Sequence, residues 1–292
     1  MSYILRSSTP SDAAALAALG TDPDAPRGLN EADLFVYPRH ETWLAEHGDA
    51  VIAAARLCLA PHSGLALLTD LAGETAPLLA LVGELTQHAL GQGAATIQAA
   101  APTGSALADA LGEHGFTVQR RVVHIRWRLP SPPPGDPPLG IAFAEEIPDP
   151  EEYARLSVAA YRGSWDWLFD HWGGDIAARR NFARLFESPR DERFIGARQQ
   201  GELIGFVSTG SGEVVPGDFS TFGVLVRPAM RGQGIGSYLL LRALQVLASR
   251  GATAAEMHTT APSQGDPAAV RLYLRHGERK EDVAILRRSG HS

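Results

Sequence analysis

Between residues 226 and 237 the chain reads Val226-Arg227-Pro228-Ala229-Met230-Arg231-Gly232-Gln233-Gly234-Ile235-Gly236-Ser237. Glycines at 232, 234 and 236 let a backbone turn sharply and approach a ligand without Cβ interference. From Ile235 to Arg250 the apolar positions Leu239, Leu240, Ala243, Leu244 and Leu247 follow the helical period, and Gly251 closes the run. A helix therefore starts where the glycines end. Its first N–H groups have no internal acceptors and lie at the positive end of the helix dipole. Loop and helix start together make a site for a phosphate or pyrophosphate, beside which Arg231 adds positive charge.

Three alternatives meet this pattern. A P-loop ends in Gly-Lys-Ser/Thr, whereas Gly236 runs directly into Ser237. A dinucleotide fold spaces its glycines as Gly-x-Gly-x-x-Gly with an acidic residue about twenty positions on, and the spacing here is Gly-x-Gly-x-Gly. A glycine-rich turn with no ligand is the third.

The elements around the loop read as a hairpin, a strand, the helix, a strand and a last helix. Arg193 to Arg198 and Leu203 to Thr209 are strands joined across Gln199-Gln200-Gly201-Glu202. Ser220 to Val226 leads into the loop, Ala254 to Thr259 follows the helix, and Pro267 to His276 forms the closing helix. The sequence 130–140, rich in proline, reads as a semi-rigid linker. On either side of it the layout repeats. Each half opens with a strand and a helix (Tyr3 to Arg6 then Pro10 to Leu19; Ile141 to Ala144 then Glu151 to Ala160). Each closes with a helix, a His-Gly pair and a strand, at His114-Gly115 and His276-Gly277. Thr9, Pro10 and Asp12 mark the first helix start. Glycine after each closing helix suits the left-handed C′ position. Three divisions follow: 1–129, the linker 130–140, and 141–292. Each half is expected to be an α+β unit, a mixed, mostly antiparallel sheet flanked by helices.

With 292 residues, 45% hydrophobic and 20% charged, the chain can bury two ordinary cores. A net charge of −7 argues against nucleic acid as partner. Cys58, the one cysteine, excludes an intrachain disulfide or thiolate cluster, and its alanine-rich surroundings make it core filler. No metal is expected. Neither a secretory leader nor an apolar run of membrane-spanning length is evident, so the expected setting is cytoplasmic, as a monomer or homodimer.

Arg231-Gly232-Gln233-Gly234-Ile235-Gly236, with its Val-x-Pro lead-in, resembles the Gln/Arg-x-x-Gly-x-Gly/Ala signature of the GNAT acetyltransferase superfamily. The resemblance spans roughly Leu139 to Arg288, so the whole chain reads as two tandem GNAT-like domains. It implies acetyl-CoA as co-substrate and no metal. Val224, Leu225 and Val226 would pair with the pantetheine arm, residues 232 to 237 would hold the pyrophosphate, and Val226 N–H would stabilise the oxyanion. Downstream, Asp266-Pro267-Ala268-Ala269-Val270-Arg271-Leu272-Tyr273 sets Tyr273 in the place of the tyrosine that protonates the departing thiolate in many members. Asp266 stands where asparagine is usual. A base is needed as well. Ala261 has the place of the glutamate that serves some members; if the loop to Gly265 is longer than usual, His258 takes it, and Glu213 and Asp218, ahead of Ser220, are further candidates. Trp165, Asp166, Trp167 and Trp172 fall where the acceptor wall forms and would suit a cationic or aromatic amine.

The first half lacks this equipment. After its third strand, Leu65 to Thr69, there is no glycine repeat, Asp70 and Glu74 would repel pyrophosphate, and Leu111 falls opposite Tyr273. It reads as a degenerate copy. The expected activity is acyl transfer from acetyl-CoA to a primary amine of a small molecule or peptide, and the alternative is a non-catalytic acyl-CoA sensor or interaction protein.

Overall fold

The computed structural model describes residues 3–20, 39–60, 64–162, 174–187, 193–209 and 223–289. Among them the chain forms a mixed α/β structure that packs as two compact units, Met1–Arg121 with Val283–Ser292, and Val122–Asp282.

In the first unit β1 (Ile4–Ser7) leads through a 3-10 turn (Pro10–Asp12) into α1 (Ala13–Ala18). Thr9 sets that turn: its N–H and its hydroxyl donate to the Asp12 carboxylate at 2.7 and 2.8 Å. Arg6 bonds the same carboxylate, and its guanidinium holds Asp12 well below the usual carboxylate range. Then come β2 (Arg39–His47), β3 (Ala50–Ala60), β4 (Leu65–Gly73), α2 (Thr75–Gly91), β5 (Thr96–Pro102) and α3 (Ala106–Glu113). The sheet runs β1-β2-β3-β4-β5, antiparallel except for β4 with β5, which pair in parallel from Leu65 to Leu68. Leu78, Leu81 and Leu85 of α2 recur at helical spacing and cover Leu57, Leu68 and Ile97.

In the second unit β7 (Ala142–Glu146), β8 (Arg193–Gln199), β9 (Glu202–Thr209) and β10 (Val224–Val226) form an antiparallel sheet in the order β10-β9-β8-β7. The period-two alternation of β8 puts Phe194 on one face and Ile195 and Ala197 on the other. Phe194 and Phe206 pack with Tyr153 of α4 (Pro150–Tyr161) and Phe186 of α5 (Asp175–Glu187); the Tyr153 and Phe206 rings are 4.6 Å apart. Ile195 and Val207 meet Leu239, Leu240 and Leu244 of α6 (Ile235–Ser249). After α6 come β11 (Ala254–Pro262) and α7 (Ala268–Leu274).

The packing units are not the contiguous halves 1–129 and 141–292. β6 (Thr117–Arg128) begins in the first unit and ends in the second, where it neighbours β11. β12 (Glu278–Ser289) does the reverse: Val283–Ser289 pairs antiparallel with Thr96–Pro102 of β5. Each half of the sequence thus gives its last strand to the other unit. Strand periodicity marks an apolar face and carries no information on which neighbour the strand will join.

Candidate active site

β10 is an edge strand, and its register decides which backbone groups face outward. Val224, Leu225 and Val226 lie opposite Val207, Phe206 and Gly205, and Arg227 N–H donates to Ile204 C=O at 2.8 Å. Bonded pairs alternate in an antiparallel ladder, so Leu225 exchanges its bonds with Phe206, and the polar groups of Val224 and Val226 point to the open side. The expectation that all three residues meet a pantetheine arm narrows to Val224 and Val226. Val226 C=O accepts from Arg231 Nε at 3.2 Å, which leaves Val226 N–H and Val224 C=O directed outward.

The chain leaves β10 through a 3-10 turn (Pro228–Met230) and reaches the glycines. Gly232 and Gly234 both take left-handed φ, +81° and +82°. Gly234 is the N-cap of α6 and has no side chain with which to cap it. No described heavy atom comes within 4 Å of where a Gly232 Cβ would sit. A helix start without a side-chain cap and with permissive backbone before it suits a pyrophosphate; the nearest neighbour at Gly234 is Pro138, whose Cγ is 3.8 Å from where a Cβ would sit. Gln233 and Ser237 flank it; Ile235 is buried beneath and anchors the helix start, while Gly236 packs on Leu272 of α7.

Arg231 bonds to the backbone at two points. Its Nη2 donates to Ala160 C=O at 2.7 Å while Nε holds Val226 C=O. Two of its donors thus go to backbone carbonyls on α4 and β10.

Tyr273 lies on α7 with its hydroxyl beside β10. Val224 N–H donates to Tyr273 Oη at 3.1 Å, and burial pushes the phenol up to about 12 against the smaller opposing effect of that bond. An oxygen that accepts from Val224 still has its own proton to give. The ring is held edge-on by Trp127 at 5.9 Å, whose indole N–H donates to Tyr273 C=O at 3.3 Å. Gly277 admits that indole: a Cβ there would sit 2.6 Å from Trp127 Nε1. Close approach, and not the left-handed C′ conformation seen at Gly115 (φ +83°), is the requirement at Gly277.

Sequence reading missed Gly223. Its φ is +63°, and a Cβ at this position would lie 3.2 Å from both Tyr273 Oη and Met257 Cε. A glycine just ahead of a short strand resembles any loop residue, so only its neighbours reveal it.

His258 does not join this group. Met257 reaches Gly223, and successive residues of a strand face opposite ways. His258 therefore points to the other side of β11, where it is exposed and tilted against His124 of β6 at 5.9 Å. Glu256 shares that side and pairs with Arg126 and Lys280. Asp266 bonds Arg279 at 2.6 Å, so its carboxylate ties the loop before α7 to β12. Trp165, Asp166, Trp167 and Trp172 lie outside the described residues.

Between β4 and α2 of the first unit the described chain has no counterpart to the loop. There β4 continues through Asp70 to Gly73, and α2 starts at Thr75, leaving Glu74 alone between them. Glu74 N–H donates to Ile52 C=O of β3. Residues 227–234 fill the same interval in the second unit. Leu111, opposite Tyr273 in the repeat, is fully buried in the core. Cys58 is also buried, and burial pushes its thiol up to about 12, which removes it as a nucleophile. Among the described residues no group of three or more metal-ligating side chains occurs, and no helix is long and apolar enough to cross a membrane.

Strand β10, the glycine loop, the start of α6 and the Tyr273 phenol thus lie together in the second unit. Residues 151–277 match the Acetyltransferase (GNAT) family. Over 98% of its length the chain is similar to a GCN5-related N-acetyltransferase from Sphaerobacter thermophilus, at 22% identity and a TM-score of 0.62, covering 95% of that chain. A tandem GNAT protein from the clavulanic acid biosynthesis pathway is matched over the full length of both chains at 19% identity and a TM-score of 0.62. A GNAT-family acetyltransferase from Colwellia psychrerythraea is matched at 14% identity and 0.55, over 99% of this chain and all of that one. No curated protein matches. Residues 151–277 thus match a GNAT domain, and along its length the chain shares the fold of tandem GNAT proteins. A match to that family implies acyl transfer from acyl-CoA.

Proposed function

We propose that the second unit transfers an acetyl group from acetyl-CoA to a primary amine of a small molecule or peptide, by direct attack in a ternary complex. The observation that carries this reading is the placement of Tyr273 Oη against Val224 N–H, on the open edge of the strand that leads into the uncapped start of α6. Gly232 to Ser237 would receive the pyrophosphate, and the outward Val224 C=O would receive the pantetheine arm. The amine nitrogen attacks the thioester carbonyl, forming C–N, while Val226 N–H stabilises the oxyanion. Collapse breaks C–S, the electron pair goes to sulfur, and Tyr273 Oη delivers a proton to it. The ammonium proton is lost to a base or to water.

The alternative is an acyl-CoA sensor whose loop is intact but which lacks an effective base: among the described residues His258 faces away from Tyr273, while Glu213 and Asp218 lie outside them. Thiol release from acetyl-CoA, screened over polyamines, aminoglycosides, amino acids and peptide N-termini, separates the two. An enzyme gives turnover with some acceptor, and Tyr273→Phe lowers it about 100-fold or more while acetyl-CoA affinity is kept. Acetyl-CoA binding without turnover on any acceptor class would support the sensor.

A further inference from the structure

We infer that Arg231 is a positioning residue that braces the pyrophosphate loop, and that its charge is not a cation for the phosphates. The inference rests on residues 232 to 237 being that loop. The root of the loop is where the chain has least stiffness of its own: Gly232 and Gly234 both have left-handed φ, and no side chain caps α6. The residue immediately before these glycines is fixed at two points. Arg231 Nε donates to Val226 C=O, the end of β10, at 3.2 Å, and Nη2 donates to Ala160 C=O at 2.7 Å. Ala160 is in the last turn of α4, where carbonyls lack intrahelical donors and carry the negative end of the dipole. A guanidinium suits that place electrostatically, and its planar fork reaches two carbonyls at once, which an ammonium on a flexible stem does not reproduce.

The brace fixes the start of the glycine run relative to both the strand edge and the helix end. The N–H groups of residues 232 to 237 then need less ordering when a ligand arrives, and preorganisation of that kind raises affinity. Lysine and glutamine at this position separate brace from charge, because lysine keeps the charge and loses the fork, whereas glutamine loses the charge and keeps donors on a planar group.

The test is calorimetric titration of acetyl-CoA into the full chain for wild type, Arg231→Lys and Arg231→Gln at two salt concentrations. The brace predicts that Lys weakens binding about tenfold or more. It also predicts that Gln binds at least as well as Lys, and that the salt dependence of binding is the same in all three proteins. Lys near wild type, with Gln weaker and less salt-dependent, would overturn it, because the charge would then be what matters. Arg231 is exposed, so both variants are expected to melt with wild type; variants that fail to fold would also contradict the inference, since Arg231 would then hold the fold and not the loop. A second readout is recovery of acetyl-CoA affinity in Arg231→Ala by methylguanidinium but not by methylammonium. If wild type itself fails to bind acetyl-CoA, the proposed function is lost, an outcome distinct from any ranking of the variants.

Discussion

At Tyr273 burial and one backbone N–H act on the same oxygen, and burial wins. The phenol therefore keeps its proton up to about pH 12, so it is loaded as an acid throughout the working range and is no base there. The kcat–pH profile should show no falling limb from this group between about pH 7 and 10. A limb in that interval that disappears in Tyr273→Phe would contradict the assignment. The sign for stability follows from the same shift. The unfolded phenol ionises near its ordinary value of about 10 while the folded one stays neutral, so stability falls as pH rises from about 10 through 12. Gly223 is the companion residue. In Gly223→Ala a Cβ is added to a left-handed backbone, at about 1–2 kcal/mol, and it presses on Tyr273 Oη and Met257 Cε. The expected outcome is a lower kcat with little change in acetyl-CoA affinity, read by steady-state kinetics beside a denaturation curve.

The elements that carry the site were legible in the sequence because each has a local signature. The helix α6 was marked by its apolar period and the glycines before it, and β8 and β9 by alternation across a turn. What was illegible depends on partners far along the chain. Arg231 finds Ala160, 71 positions away, and no spacing announces it. His258 was placed by assuming a loop length, and one residue of slip on a strand changes the face. Trp127 lies in β6, and nothing in its own segment tells that it steadies Tyr273. Packing on the other face of the β7–β10 sheet can be tested at Phe206, which is fully buried among Tyr153, Phe186 and Phe194. Phe206→Ala should cost about 3–5 kcal/mol in urea denaturation. A loss under about 1 kcal/mol would show that this aromatic cluster contributes little.

For the whole molecule, the repeat in the sequence and the division in space do not coincide. Val122 to Arg128 belong to the second unit and Val283 to Ser289 to the first, so each unit is completed by the other half's last strand. Separate production of 1–129 and 141–292 should therefore give chains that lack cooperative unfolding. Leaving β5 without its β12 partner exposes a strand edge that invites aggregation. Two soluble, cooperatively melting halves would refute the exchange. The duplicated plan also predicts an asymmetry. The first unit has only Glu74 between strand and helix, and the second has residues 227 to 234 with their left-handed glycines.

That asymmetry makes the stoichiometry of acetyl-CoA binding the most direct test. Calorimetry on the full chain should give one site per chain, weakened at least tenfold by Gly234→Val, which forces a branched side chain onto a left-handed N-cap. No heat at millimolar acetyl-CoA, or binding untouched by that substitution, would contradict the assignment of the loop.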